Sequence, residues 1–509
     1  MSDYDYIVIG AGSAGCVVAN RLSEDPHVSV LLLEAGDADL LPAIHKPPLW
    51  GTLLKSDVDW SYATEPEPAL DLRRIDCPRG KVLGGSSAIN AMIYIRGNRR
   101  DFDHWQTLGN PGWAWDDVLP YFRKSEQQAR GASDYHGVDG PLAVTDPPAP
   151  HPFSLAFLDA AVELGYPHNP DFNGVDQEGA GLYQLTVKDG KRQSTAVAFL
   201  HPIRHRKNLN IVTHAEVSSV FFDRTRAVGV RYTHDGMDTQ ALANREIILS
   251  AGAFNSPKLL LLSGIGPAEQ LRRFGIPTVV NLPGVGQNLQ DHPRLEVGYR
   301  STKYFALSDA SNVAEAGLFL HAAFGQTDRA PDLQFHFVPV AEVVETSSGT
   351  SAEVYFNINP SRPQSRGEVR LRSVNPADPP IIQANYLKDA DDFALLVEGF
   401  TVARDLARTR ALAEICSEEV APGITIQGES DVRTYIRQTC DCIWHPVGTC
   451  KMGTDALSVV DSQLRVHGVE GLRVVDASIM PTITSGNTNA PTIMIGEKAS
   501  DLIKGVRTT

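Results

Sequence analysis

Cysteine is scarce in this sequence, and long apolar runs are absent from it. Six cysteines are spread over 509 residues without a C-x-x-C pair, and Cys440 and Cys442 are too close together for an ordinary disulfide. We therefore expect six thiols in a reducing cytoplasm and no metal site. The four leucines at 259–262 fall far short of the ~18 apolar residues of a membrane span, which predicts no transmembrane segment. The acidic opening MSDYDY is also unlike a secretory signal.

Positive charge is in short supply as well. The chain has 46 Lys and Arg residues against 61 Asp and Glu residues, which gives a formal net charge of −15. A protein that binds nucleic acid needs a surface rich in Lys and Arg, so this balance argues against a nucleic-acid partner. What the chain does have is a globular composition, with 42% hydrophobic residues, and enough length for about two to four domains.

The first forty residues predict a strand, a glycine turn, a helix and a second strand. Residues 4–9 (YDYIVI) are apolar and rich in β-formers, and GAGSAG follows at 10–15. Apolar residues then recur at helical spacing until VSVLLLEAG at 28–36, which has the texture of a buried strand. This order of elements is a βαβ unit.

The glycine turn has the pattern of a dinucleotide site. Gly10, Gly12 and Gly15 form G-x-G-x-x-G. The first glycine permits the tight turn, the second lets the backbone approach a pyrophosphate, and the third lets helix and strand pack closely. Glu34, at the end of the second strand, is placed to bind a ribose 2′-hydroxyl and disfavours the 2′-phosphate of NADP. The pattern leaves FAD and NAD both open.

The pattern of apolar residues along the chain changes near residue 150 and changes back near residue 438. Alternating runs such as DLQFHFVPV (332–340) predict an antiparallel sheet with one buried face, whereas LRVVDAS (472–478) returns to a short apolar strand. We therefore expect an α/β plus α+β chain with two domains. Residues 1–150, 205–292 and 440–509 are predicted to form a Rossmann-like cofactor domain, and residues 151–204 and 293–439 a substrate domain with an antiparallel sheet.

Several segments resemble signatures of the glucose–methanol–choline (GMC) oxidoreductases. They are GKVLGGSSAINAMIYIRGNRRDFDHW (80–105), GAFNSPKLLLLSGIG (252–266), HPVGTCKMG (445–453), GLRVVDASIMP (471–481) and SGNTNAPTIMIGEKASDLI (485–503). With the N-terminal βαβ unit they span nearly the whole chain in family order. The resemblance implies FAD as the cofactor and assigns it to the discontinuous domain.

The resemblance also implies which residues contact the FAD. The GGSS stretch (84–87) offers small residues and free N–H groups to a pyrophosphate or flavin edge. Trp60 either covers part of the cofactor or belongs to the core. The predicted contacts are Gly10, Gly12, Ser13, Ala14, Gly15, Glu34, Ala35, Trp60, Val82, Gly84, Gly85, Ser86, Asn90, Ala91, Met92, Val217, Ala251, Trp444, Asp476, Ala477, Pro491 and Thr492. Some relatives attach the flavin covalently through a histidine where this chain has Ile89, so we expect non-covalent FAD.

A His–Asn pair is the predicted catalytic centre. His445 opens the family's catalytic motif, and its neutral imidazole is a suitable base for the substrate hydroxyl near pH 7. Asn489 is the predicted second member, which would hold the substrate oxygen by a hydrogen bond. The sequence around Asn489 also suits a helix cap, because Pro491 follows and proline is favoured in a first helical turn. Such a helix would direct its positive end toward the flavin.

The substrate pocket is less well defined by the sequence. Trp444 is predicted to form one wall. Phe335 and Phe337 are candidates for the far wall, and so is His336 between them. In an alternating strand the two phenylalanines share one face and His336 the other, so the three cannot all line the pocket.

These features predict the oxidation of a primary, aromatic or heteroaromatic alcohol to an aldehyde, similar to hydroxymethylfurfural and aryl-alcohol oxidases. His445 would take the hydroxyl proton, a hydride would pass to flavin N5, and oxygen or a quinone would reoxidise the flavin. Three alternatives stay open: a hydroxynitrile lyase without net redox chemistry, a choline-type dehydrogenase, and an NAD dehydrogenase. A choline enzyme needs an acidic or aromatic cage for the ammonium group, which the sequence does not locate. The sequence leaves the oligomeric state open.

Overall fold

The computed structural model describes residues 2–323, 329–346 and 349–506. Its α-helices are Ser13–Leu22, Arg99–Thr107, Trp115–Ser125, Pro152–Glu163, Gly252–Leu262, Ala268–Arg273, Ala390–Arg408, Glu429–Thr439 and Asn489–Lys504. Within these described ranges, no helix combines the length and the apolar character that crossing a membrane requires.

A seven-stranded mixed sheet carries the glycine turn. Its strands run in the order Leu209–Val212, Val30–Leu33, Ser2–Ile9, Met237–Leu249, Arg226–His234 and Ala215–Asp223, and Leu472–Val474 pairs with Met237–Leu249. The central pairs are parallel, whereas the last three strands of the path form an antiparallel meander. Segments that are far apart in sequence thus share one sheet. This arrangement confirms the predicted α/β part of the fold.

The turn after the first strand has the geometry that the glycine pattern predicts. Gly10 adopts φ +96°, in the left-handed region that favours glycine. A Cβ on Gly15 would lie 1.9 Å from the carbonyl oxygen of Gly10, so any side chain would push the helix off the strand. The helix Ser13–Leu22 begins at this turn with Gly12 as its N-cap. Its unpaired N–H groups therefore lie at the carboxyl end of a central parallel strand.

A second seven-stranded sheet is antiparallel throughout. Its strands run in the order Glu418–Ala421, Pro293–Ser301, Gly349–Pro360, Leu333–Thr346, Ala316–Leu320 and Gly179–Leu182, and Asp441–Cys442 pairs with Pro293–Ser301. Helix Ala390–Arg408 packs tightly on it, since a Cβ on Gly399 would lie 2.4 Å from a methyl group of Ile358. The predicted antiparallel sheet is confirmed, and the limits of the two domains stay a prediction.

Short sheets accompany the two large sheets. They pair Tyr62–Ala63 with Asp76–Cys77, Ile93–Tyr94 with Gln184–Leu185, Glu126–Gln128 with Leu142–Val144, Val187–Lys188 with Lys191–Arg192, Ile265–Gly266 with Val280–Asn281, and Gly367–Arg370 with both Gln287–Leu289 and Ile381–Gln383. All six cysteines are thiols, and five of them are buried. Each of these short sheets pairs strands from the same half of the sequence.

Candidate active site

A cavity of about 620 Å³ lies between the two large sheets. Glycine-turn residues and Glu34 line it from the first sheet, and His336 and Asn357 line it from the second. His445 also belongs to the lining. This volume falls in the range of pockets that enclose a cofactor or a drug-sized ligand.

Most of the predicted cofactor contacts line this cavity. They are Gly10, Gly12, Ser13, Ala14, Glu34, Ala35, Trp60, Gly85, Ser86, Asn90, Ala91, Met92, Val217, Ala251, Trp444, Asp476, Ala477 and Thr492. Ile89, the position of covalent attachment in some relatives, lines it too.

Four predicted contacts lie outside the lining, each for a local reason. Gly15 packs against the carbonyl of Gly10, where the helix contacts the strand. Val82 is fully buried in a small apolar cluster. Gly84 has φ +93° and donates its N–H to the carbonyl of Ala11. This backbone hydrogen bond joins the turn at Gly84 to the glycine turn after the first strand. Pro491 is buried in the first turn of the last helix. These residues shape the site without facing it.

The residues at the glycine turn fit a dinucleotide. A Cβ on Gly85 would lie 2.6 Å from the Cα of Gly12, so two side-chain-free turns meet and leave backbone groups to approach a pyrophosphate. The buried carboxylate of Glu34 accepts hydrogen bonds from the N–H groups of Ala11 (2.8 Å) and Gly36 (2.9 Å). Burial raises the pKa of Glu34 to about 7. The site thus offers FAD both a phosphate cradle and a ribose acceptor.

Asn489 belongs to this phosphate end of the cavity. Its side-chain oxygen accepts a hydrogen bond of 2.7 Å from Oγ of Ser13, the first residue of the helix after the glycine turn. The last helix begins at Asn489, with Thr488 and not Asn489 as its N-cap residue. The prediction that Asn489 is the partner of His445 is therefore wrong.

Asn487 takes that place instead. Its Nδ2 lies 3.2 Å from Nε2 of His445, and both residues line the cavity. The motif SGNTNAP contains two asparagines separated by one residue, and family spacing alone did not separate them. Asn489 lies inside the helix and Asn487 in the loop before it. That difference in local structure is the signal by which Asn487 could have been chosen as the partner of His445.

The backbone at His445 is held by groups that the sequence did not single out. The N–H of His445 donates to Oδ1 of Asp291 (2.6 Å), and the hydroxyl of Tyr386 donates to Oδ2 of the same carboxylate (2.7 Å). Trp444 has φ +65°, an uncommon value for a residue with a side chain, and its carbonyl accepts a hydrogen bond from Arg79. Asp291 is buried, and burial raises its pKa to about 6. The loop is thereby fixed on both sides of the imidazole.

The imidazole of His445 is neutral near pH 7. Burial lowers its pKa well below the usual 6.5, and the nearby His292, His336 and Arg79 lower it further. Nδ1 of His445 lies 3.0 Å from Nδ1 of His292. A partly buried, neutral histidine with a defined partner on each ring nitrogen is suited to accept one proton from a ligand in the cavity.

The second sheet presents His336 to the cavity and its phenylalanines to the core. Phe335 and Phe337 are fully buried, and the ring of Phe337 stacks on that of Phe157 with centroids 4.9 Å apart. The prediction that these phenylalanines line the pocket is wrong, because alternate residues of the strand face opposite sides of the sheet. Nε2 of His336 lies 3.1 Å from Nε2 of Gln334, a residue that the sequence analysis missed.

Aromatic rings and one cation form another part of the wall. The rings of Trp50 and Trp444 meet edge to face, with centroids 6.2 Å apart. The guanidinium carbon of Arg294 lies 5.6 Å from the centroid of the Trp444 ring. Arg294 also pairs with Glu296 (3.2 Å) and Asp441 (3.1 Å). Trp444 therefore lines the cavity as predicted, with a guanidinium within cation–π distance of its ring.

Comparison with known proteins identifies the family. Residues 4–294 match the N-terminal model of the GMC oxidoreductases, and residues 363–496 match the C-terminal model. The chain belongs to the GMC oxidoreductase family. It is an FAD-dependent enzyme that oxidises CH–OH groups of alcohols, as the family and its cavity indicate.

Three GMC relatives illustrate the range of the family. The mitochondrial choline dehydrogenase of Homo sapiens is 45% identical, over 99% of this chain and 90% of that protein. An alcohol dehydrogenase (acceptor) of Pseudomonas putida is 43% identical, over 98% of this chain and 95% of that protein. The crystal structure of pyridoxine 4-oxidase from Mesorbium loti has a TM-score of 0.93 at 32% identity, and the match covers 99% of this chain and 100% of that one.

Proposed function

We propose that this GMC enzyme oxidises an uncharged primary alcohol with an aromatic or heteroaromatic substituent to the aldehyde, with His445 as the base. The observation that carries the proposal is the 3.2 Å contact between Nε2 of His445 and Nδ2 of Asn487 on the cavity wall. FAD, when bound without a covalent link, supplies the acceptor for the two electrons and the hydrogen of the carbinol carbon. Oxygen or a quinone is the proposed final acceptor.

The orientation of the Asn487 amide supports its role. Its Oδ1 faces Nε2 of Gln334 at 3.3 Å and accepts a hydrogen bond from it. Its Nδ2 is therefore the atom that faces His445. Once Nε2 of His445 has taken the substrate proton, both nitrogens carry hydrogen and cannot bond to each other. An alkoxide oxygen held between them accepts from both, which stabilises the charge that develops on it.

His336 supplies a third polar group. Its Nε2 accepts from Gln334, so in the neutral ring the proton is on Nδ1. Burial lowers the pKa of His336 to about 4, which keeps the ring neutral. Within the described chain that buried Nδ1 has no hydrogen-bond partner, and His336 lines the cavity. It is available to donate to a polar atom of the substrate.

The aromatic wall favours an uncharged, flat substituent over a quaternary ammonium. Trp50 and Trp444 offer ring surface, and Val338 adds apolar surface from the second sheet. A choline cage needs free aromatic faces and negative charge, but Arg294 already lies within cation–π distance of Trp444. A second positive charge placed there would be repelled.

Choline is the second candidate substrate. The choline dehydrogenase of Homo sapiens is 45% identical to this chain, and Glu296 and Glu342 are acidic residues of the cavity lining. The ion pair between Arg294 and Glu296 reduces the negative charge that remains for an ammonium ligand.

Anaerobic mixing of the purified holoenzyme with single alcohols tests the proposal. We expect benzyl or pyridyl carbinols to bleach the visible flavin absorbance faster than choline does. His445→Ala should retain FAD and slow that reduction at least ~100-fold, because general-base catalysis contributes about 10²–10⁴. Near-normal reduction by this variant would refute the base assignment, and a flavin that stays oxidised with every alcohol would favour a lyase. Peroxide and quinone assays then identify the acceptor, and acid precipitation that releases the flavin supports non-covalent binding.

A further inference from the structure

A second histidine lies directly behind the proposed base. His292 is fully buried and is not part of the cavity lining, so it does not face a ligand there. Its ring is perpendicular to that of His445, with an interplanar angle of 89° and centroids 5.3 Å apart. Nδ1 of His292 lies 3.0 Å from Nδ1 of His445. The contact joins the loop before strand Pro293–Ser301 to the loop after Asp441–Cys442.

The other ring nitrogen of His292 fixes where its proton is. Nε2 of His292 lies 2.9 Å from the carbonyl oxygen of Ser361. A carbonyl oxygen can only accept a hydrogen bond, so Nε2 of His292 carries a proton. Burial lowers the pKa of His292 to about 4, so the ring is neutral and holds one proton. Its Nδ1 is therefore a bare acceptor.

This acceptor determines the tautomer of His445. Two bare nitrogens 3.0 Å apart would place lone pair against lone pair, so Nδ1 of His445 must carry the proton of that contact. A neutral His445 then has its lone pair on Nε2, the nitrogen that faces Asn487. The side-chain amide nitrogen of Asn487 is a donor, and it lies beside Nε2 of His445. A donor at that place also requires a lone pair on Nε2.

We propose that His292 is a positioning residue that holds His445 in the Nδ1–H tautomer and so directs its basic nitrogen into the cavity. The inference rests on the proposed role of His445 as the base. Proton transfer strengthens the contact, because an imidazolium donates to the same acceptor more strongly than a neutral ring. In catalytic triads a wrong histidine tautomer costs roughly 10⁴ in turnover, so the orientation of the proton has kinetic weight.

The two hydrogen bonds of His292 can be removed separately. Asn places its side-chain oxygen near the position of Nδ1, so His292→Asn retains the acceptor for His445 and loses the donor to Ser361. Gln places its amide nitrogen near the position of Nε2, so His292→Gln retains the donor to Ser361 and loses the acceptor. His292→Leu fills the space and retains neither. All three variants are purified as FAD-bound protein and compared at equal flavin content.

The reduction rate constant with saturating alcohol is the first readout. We expect His292→Asn to stay within ~10-fold of the unsubstituted enzyme, and His292→Gln and His292→Leu to fall ~100-fold or more with little change in substrate affinity. If His292 served only to anchor the loop to Ser361, the reverse order would be expected, with faster reduction in His292→Gln than in His292→Asn. That order, or equal rates in all three variants, would overturn the proposal.

The tautomer itself is the second readout, and it does not depend on turnover. In protein labelled with ¹⁵N-histidine, the signals that disappear in His445→Ala belong to His445. We expect a protonated Nδ1 and a bare Nε2 in the unsubstituted enzyme and in His292→Asn, and a mixture of tautomers in His292→Leu. A bare Nδ1 in the unsubstituted enzyme would refute the proposal. If His445→Ala reduces its flavin normally while Nδ1 is protonated as expected, the proposed function fails and the hydrogen-bond assignment stands.

Discussion

Nδ2 of Asn487 and Nε2 of His445 lie 3.2 Å apart, which joins the loop before the last helix to the loop after strand Asp441–Cys442. Two residues further on, Asn489 bonds to Ser13 at the glycine turn instead. Two asparagines of one short motif thus have different partners in the cavity lining. The helix start at Asn489 separates them, because the chain changes direction there.

Substituting the two asparagines separately should give different defects. We expect Asn487→Ala to slow flavin reduction ~10–100-fold with FAD content unchanged, because the alkoxide loses a donor. Asn489→Ala should reduce at a near-normal rate and release FAD more readily, because Ser13 loses its partner. Stopped-flow reduction and fluorescence of released flavin measure the two effects. Equal rates in the two variants would remove the distinction between the asparagines.

The pH dependence of reduction should follow the low pKa of His445. A base must be unprotonated to act, so the rate falls as pH drops through its pKa and is flat above it. Since that pKa lies well below 6.5, we expect a constant rate between about pH 7 and pH 9 and a decline only at acid pH. The groups around the imidazole are His292, His336, Arg79 and Asp291. A rate that still rises between pH 7 and pH 8 would contradict a base that is already neutral at pH 7.

Arg294 should control discrimination against cationic alcohols. We expect Arg294→Gln to raise kcat/KM for choline ~10-fold or more and to change that for benzyl alcohol by less than ~3-fold, because the mutation removes a positive charge near Trp444. Arg300→Gln is a matched control, since Arg300 lies on the same strand and outside the cavity lining. If both variants behave alike, Arg294 does not set the specificity.

Phe337 should affect stability and Val338 should affect substrate binding. Phe337→Ala is expected to lower the free energy of unfolding by about 3–5 kcal/mol, because it empties a place in the core beside Phe157. Val338→Phe adds bulk to the cavity and should raise KM for aromatic alcohols, with a smaller loss of stability. Thermal unfolding and steady-state kinetics on the same preparations separate the two. If Phe337→Ala changes KM at temperatures where the variant is folded, Phe337 contributes to the pocket after all.

Glu34 should contribute to FAD affinity through the position of its carboxylate. Both oxygens accept backbone hydrogen bonds, from Ala11 and from Gly36. In Glu34→Gln one oxygen becomes an NH₂ group, which would face a backbone donor, so we expect FAD affinity to fall ~10-fold. Equilibrium dialysis of the apoprotein with FAD checks this, and Glu24→Gln, at an exposed ion pair with Lys504, serves as the control. Unchanged affinity would mean that the carboxylate is not needed there.

The amino-acid sequence by itself determined the glycine turn and the two kinds of sheet. The spacing of Gly10, Gly12 and Gly15 specifies a strand–turn–helix unit, because Gly10 adopts φ +96° and a Cβ on Gly15 would meet the carbonyl oxygen of Gly10. Alternation around His336 specified a strand with two unlike faces. Local sterics and periodicity are properties of short segments, so they can be read without the rest of the chain.

The tertiary structure decided which groups meet at the base. His292 and Asp291 are distant from His445 in sequence, and no local pattern brings them to its ring and its backbone. Gln334 is equally distant and bonds to Asn487, the neighbour of that ring. Either Phe335 or His336 could face the cavity. The outcome depended on which side of the sheet is covered by the helix Ala390–Arg408 and by the other segments that pack there. Proton positions depend on hydrogen-bond partners, and those partners come together only when separate segments pack. Long-range packing, which a linear pattern does not encode, therefore set the tautomer and the pocket wall.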